Sequence, residues 1–309
     1  MHNVSRALFL STILTTTACV DKFTDTAEVK TWQSADLMPL SSGECPDMST
    51  SGAFSSFLSS GESRKVTVVF PANQTEGMRI VFFFHGLMDV NSDPTQYTAR
   101  VLALQDLADQ YNAVVVLPES PIWEMFGQQF FLWNIEDGTY QKDLALYDDL
   151  RTCVANNFTV DLDKLVTVGF SGGSLFSTIL LGQRPNDLAA VVEMSGGADL
   201  QVATFENTFA PYKTPSNDIP VLLISGGEND VWPDASFTIV DFDSATDTLQ
   251  SRLRQDNQFV VRCRHTMGHS ITGKAFLASV DWLTNHTYKE PSPYLNDIGS
   301  WTDWCEIAP

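Results

Sequence analysis

A serine stands at the apex of Gly169-Phe170-Ser171-Gly172-Gly173. A serine hydroxyl is a weak nucleophile until it is held exposed beside a base. The apolar run 165–168 precedes this stretch, and a helix-like apolar run, 175–181, follows it. That order predicts strand, sharp turn, helix. Small residues on both sides of the serine let the backbone bend and lift the hydroxyl clear of the sheet edge. Such a serine needs a base, an orienting acid and donors for a developing oxyanion. Where this turn occurs in a strand-helix sheet, the chain order is serine, acid, histidine. The search therefore runs downstream of Ser171.

Three histidines follow: His265, His269 and His286. His269 lies in Thr266-Met267-Gly268-His269-Ser270, between the last expected strand and the last expected helix. A base on that loop reaches back over the sheet. His265, four residues earlier, is its rival, and His286, near a helix end, is expected at the surface. The acid should leave a strand end before the histidine. Asp230 does so, in the turn after 221–224, with Glu228 and Asp234 as competitors. The oxyanion donors are expected to be the backbone N–H of Gly172 and an N–H from the loop after an early strand. Leu87, in Phe84-His85-Gly86-Leu87, supplies the second, and His85 braces that loop. Aromatics crowd Trp123, Phe126, Phe130, Phe131 and Trp133, and Trp232 follows the acid. Trp133 and Trp232 are the candidates to stack on a substrate ring or polyester unit.

The elements that must hold these groups alternate. Strand-like runs at 65–70, 79–84, 113–117, 165–168, 189–194, 221–225 and 258–263 are separated by helical patterns at 95–111, 142–156, 245–256 and 273–286. Alternation of this kind predicts an α/β chain with a mainly parallel central sheet and helices on both faces. No dinucleotide-binding or phosphate-loop glycine pattern is present.

The segments FFFHGLMD, GFSGGS, SGGENDVWP and HTMGHS, in that order, resemble the α/β-hydrolase superfamily. Within it, the exported esterases of the polyhydroxybutyrate depolymerase and feruloyl esterase group are most similar, and GESRKVTVVFP resembles their entry strand. The resemblance runs from Gly61 to His286. It implies the α/β-hydrolase fold and ester hydrolysis through an acyl-enzyme, with Ser171, Asp230 and His269 as the triad and no metal or organic cofactor. The chain has Gly86-Leu87-Met88 where many of the depolymerases carry a cysteine after the His-Gly pair, a departure that bears on substrate. A serine peptidase or other acyl hydrolase on the same sheet is the enzymatic rival. A catalytically inactive binding protein that kept the fold is the rival of another class.

The chain carries 18 Lys and Arg against 38 Asp and Glu, a formal net charge of −20. Nucleic acid and anionic membrane surfaces would be repelled; the acidity is expected to serve solubility. Residues 1–19 read as a signal peptide, with Arg6 before the short apolar run 7–14. Cys19 fits either a lipid-anchored first residue of a lipoprotein or a cysteine beside an ordinary secretory cleavage site. The protein is thus expected to be exported: secreted, periplasmic or an outer-membrane lipoprotein. Residues 20–60, rich in Ser, Thr, Gly and acidic residues, read as a tether and irregular N-terminal arm, and 61–309 as the catalytic domain. Cys45, Cys153, Cys263 and Cys305 form an even set suited to two disulfides. The expected pairs are Cys45 with Cys305 and Cys153 with Cys263.

Overall fold

Seven consecutive residues, Met78–Phe84, are buried on both sides of the chain, and they mark the centre of the sheet. The structure, a computed structural model, describes residues 36–202, 206–234, 236–288 and 290–308. The signal peptide, Cys19 and the first part of the tether lie outside these residues. In chain order the strands are β1 (Gly52–Ser59), β2 (Glu62–Val69), β3 (Met78–Phe84), β4 (Met88–Asp89), β5 (Ala113–Pro118), β6 (Ile122–Met125), β7 (Gln128–Phe131), β8 (Val160–Phe170), β9 (Ala190–Met194), β10 (Val221–Ser225), β11 (Val231–Asp234), β12 (Phe237–Asp241), β13 (Val260–Arg264) and β14 (Cys305–Ile307). The helices are α1 (Pro94–Val101), α2 (Leu104–Tyr111), α3 (Gln141–Asn157), α4 (Gly172–Gln183), α5 (Phe242–Gln255) and α6 (Gly273–Thr284).

Among the described residues one nine-stranded sheet runs β1-β2-β5-β3-β8-β9-β10-β13-β14. The six strands from β5 to β13 are mutually parallel, and β1, β2 and β14 are added antiparallel at the edges. Strand residues alternate between faces. Ile80, Phe82 and Phe84 enter one core with side chains of α3, α4 and α5, while Val81 and Phe83 enter the other with α2 and α6. A parallel sheet covered on both faces needs continuous apolar strands, which is why these segments were legible as strands. Helix α4 is buried along its length, as an all-round apolar helix must be.

Several elements depart from expectation. The helix expected at 95–111 is broken in two, with Ala103 at φ +48° between α1 and α2. The arm expected to be irregular through residue 60 ends in β1, which pairs antiparallel with β2. Its Ser- and Gly-rich composition conceals a strand whose order comes from the neighbouring ladder. The disulfides are Cys45–Cys153 and Cys263–Cys305, so both expected pairings are corrected. Sheet order decides the second pair: Cys263 and Cys305 stand directly opposite each other on β13 and β14. The first pins the residues before β1 onto α3. Among the described residues no helix is long and apolar enough to cross a membrane.

Candidate active site

Ser171 sits between β8 and α4 with φ +54°, a conformation L-residues rarely adopt. The turn closes because the flanking glycines let backbone touch backbone. A Cβ on Gly173 would lie 2.0 Å from the Phe84 carbonyl oxygen, and one on Gly169 would lie 2.5 Å from the Ser174 nitrogen. The Ser171 N–H donates to the Met194 carbonyl at 2.9 Å, which ties the turn to β9.

The structure brings Ser171, His269 and Asp230 into one hydrogen-bonded line. With the proton on Nδ1, His269 donates to Asp230 Oδ1 at 2.7 Å, and its Nε2 accepts from Ser171 Oγ at 3.0 Å. Asp230 is fully buried, and its other oxygen accepts from the Gly226 N–H at 2.7 Å. The imidazole is clasped between two rings, Phe170 at 4.9 Å and Phe242 at 4.4 Å, both stacked. A hydroxyl in this setting can give its proton to the imidazole as it attacks a carbonyl, and the carboxylate then steadies the imidazolium.

The backbone amides of Leu87 and Gly172 border the same cleft. They are close neighbours: a Cβ on Gly172 would lie 3.7 Å from the Leu87 nitrogen. Gly172 opens α4, where first-turn N–H groups have no intrahelical acceptor and the helix dipole favours negative charge. His85 fixes the Leu87 loop from behind. Its Nδ1–H donates to the Gly86 carbonyl at 2.6 Å, its Nε2 accepts from the Ser120 N–H at 3.1 Å, and its carbonyl accepts from Trp133 Nε1 at 2.9 Å. Burial pushes the His85 pKa down to about 4, so the ring stays neutral in this role.

The competing residues lie elsewhere. His265 turns its Nδ1 toward the Met267 N–H, and burial lowers its pKa. Glu228 is exposed, and Asp234, the exposed end of β11, accepts from the Ser236 and Phe237 N–H groups. His286 is not at the surface: it is buried, bonded to the Trp282 carbonyl and Ser292 Oγ, because the segment after α6 folds back over it. Trp133 is also corrected. It is fully buried, with its ring against Phe84 and Phe176, and belongs to the core rather than the cleft. Trp232 does line the cleft.

Sequence reasoning missed two antiparallel hairpins that wall the cleft, β6–β7 and β11–β12. They contribute Met125 and Phe126, and Trp232, Ile239 and Val240. The Phe126-Gly127 pair, both with positive φ, is a two-residue hairpin turn whose glycine was the available signal. Phe170 and Phe242 went unnoticed as supports of the imidazole, since nothing in their spacing points to it.

A mainly parallel sheet covered by helices on both faces, with Ser171 on the tight turn between β8 and α4, defines the α/β-hydrolase fold. The same fold appears in native pOPH, at 18% identity and TM-score 0.66, covering 86% of this chain and 97% of that one. Native sOPH gives 17% identity and TM-score 0.66, over 85% of this chain and 96% of that one. A thermostable esterase gives 15% identity and TM-score 0.52, over 77% and 63%. Among curated proteins, the bifunctional acetylxylan esterase/xylanase XynS20E of Neocallimastix patriciarum is 25% identical over 171 residues. That match takes in 55% of this chain, which spans only 22% of the relative's length. No protein-family model matches the chain.

Proposed function

We propose that the protein is an exported serine hydrolase that cleaves carboxylic esters through an acyl-enzyme. The observation that carries this reading is the continuous line from Asp230 through His269 to Ser171, beside two backbone amides. Ser171 Oγ attacks the ester carbonyl while His269 Nε2 takes its proton. The oxyanion forms against the N–H groups of Leu87 and Gly172, each such donor contributing about 3–4 kcal/mol to the barrier reduction. His269 then gives the proton to the leaving alcohol. A water, deprotonated by the same imidazole, releases the acid and restores Ser171.

The esterase names of XynS20E and of the thermostable structure agree with ester cleavage. Two disulfides favour an oxidising compartment, in line with the signal-like residues 1–19. Polyhydroxyalkanoate and feruloyl esters are the finer substrate readings, with Trp232 among the aromatic residues that line the cleft, beside Phe126, Phe209 and Phe242. The test is a fluorophosphonate probe with nitrophenyl esters and peptide anilides. Ser171 should be labelled, esters should turn over and anilides should not. Ser171→Ala should cost about 10⁴-fold or more in kcat. Turnover of anilides without esters, or an unlabelled serine, would overturn the reading.

A further inference from the structure

Two pieces of backbone grip Asp230 and His269, and both meet at one carboxylate that stands outside the Asp230–His269–Ser171 line. The first is the end of β10. The Gly226 N–H donates to Asp230 Oδ2, and the Gly226 carbonyl accepts from the Gly268 N–H at 3.2 Å, one residue before His269. The packing there is tight: a Cβ on Gly226 would lie 2.0 Å from the Gly268 carbonyl oxygen. The neighbouring Ser225 carbonyl accepts from the His265 N–H at 2.9 Å. The end of β10 therefore places the acid and the loop of the base together. The second is the start of α5. The Phe242 N–H donates to the Asp230 carbonyl at 2.8 Å, while the Phe242 ring stacks on His269.

Asp243 joins the two. It follows Phe242 in the first turn of α5, where the helix dipole favours a carboxylate. Its Oδ1 accepts from Ser225 Oγ, on the residue before Gly226. The same oxygen accepts from Arg262 Nη2 at 2.7 Å and Arg264 Nε at 3.1 Å, both on β13. Arg262 is buried, and a buried cation demands a fixed anion. Bonds to an ionised group are roughly twice as strong as neutral ones. Asp247, one turn further along α5, is a natural control. Among the described residues its carboxylate takes both arginines but not Ser225.

We propose that Asp243 is a positioning residue: through Ser225 and Phe242 it holds Asp230 and His269 in register with Ser171, without touching substrate. This rests on the reading of those three residues as the working triad of an esterase.

The experiment measures kcat and KM for nitrophenyl acetate, with melting temperature, in Asp243→Ala, Ser225→Ala, the double variant and Asp247→Ala. Asp243→Ala and Ser225→Ala should each lower kcat about tenfold or more, with KM little changed, since small displacements of reacting groups are costly. The double variant should fall no further than the larger single loss, because both act through one link. Asp247→Ala removes an anion from the same arginines and should keep kcat. Full kcat in Asp243→Ala or Ser225→Ala, multiplied losses in the double variant, or an equal loss in Asp247→Ala overturns the proposal. Should Asp243→Ala fail to fold, Ser225→Ala decides, because it leaves the arginine pairs intact. Failure of the underlying esterase reading looks different: the wild type cleaves no ester and the fluorophosphonate probe leaves Ser171 unmodified.

Discussion

Glu193 is a fully buried acid that the proposed chemistry does not use. It lies on β9 one residue before Met194, whose carbonyl holds the Ser171 amide. Its Oε1 accepts from Thr178 Oγ1 at 2.8 Å, so it links β9 to α4 behind the Ser171 turn. Complete burial raises its pKa from 4.5 to about 8, with bonds from Thr178 and the Gly197 backbone opposing that rise only in part. In the unfolded chain the carboxyl ionises above 4.5; in the folded chain it stays protonated until about 8. The folded state thus binds the extra proton between those values, and stability falls as pH rises across that window. Glu193→Gln keeps the shape without the ionisation. Melting temperature measured from pH 5 to 9 should decline less with pH in the variant than in the wild type. Parallel curves would exclude this role for Glu193.

The elements show why some of the site could be read in advance and some could not. Ser171, Asp230 and His269 each follow an apolar strand and sit in a glycine-containing turn, so local pattern and chain order were sufficient to bring them forward. The continuous apolar strands of the parallel sheet were legible for the same reason. Trp133 was misread because an aromatic near a strand end looks alike whether it faces cleft or core; only the stack on Phe176 decides it. The hairpins β6–β7 and β11–β12 are short, and their pairing partners are set by the tertiary fold. The two-ring clasp on His269 joins β8 to α5, which are 72 residues apart at Phe170 and Phe242. Phe242→Leu keeps an apolar side chain but removes the flat face. It should lower kcat by up to about a hundredfold, since small displacements of a catalytic group carry costs of that order. KM for a short ester should change much less. A full retention of kcat would show that the stack does not position the ring.

At the scale of the molecule, one covalent tie holds the N-terminal arm and another holds the sheet edge at β13 and β14. Cys45–Cys153 joins positions 108 apart in sequence and encloses β1 to β7, α1, α2 and most of α3. It works with Ser41, whose amide donates to Asp149 Oδ1 of α3 at 2.8 Å. Replacing Cys45 and Cys153 together by alanine should lower stability by about 2–5 kcal/mol, read by urea unfolding. A midpoint equal to that of the wild type would show that the hydrogen bonds alone hold the arm. Cys263–Cys305 has a different consequence. Strand β14 is three residues long and covers the flank of β13, whose Val260 and Val261 are fully buried. Released by a reductant, so short a cap would peel away and leave a row of open backbone donors and acceptors beside apolar side chains, a template for intermolecular strand pairing. The protein should therefore scatter light progressively in dithiothreitol and stay clear without it. The bond that looks like a stabiliser of the monomer is, on this view, chiefly a guard against self-association.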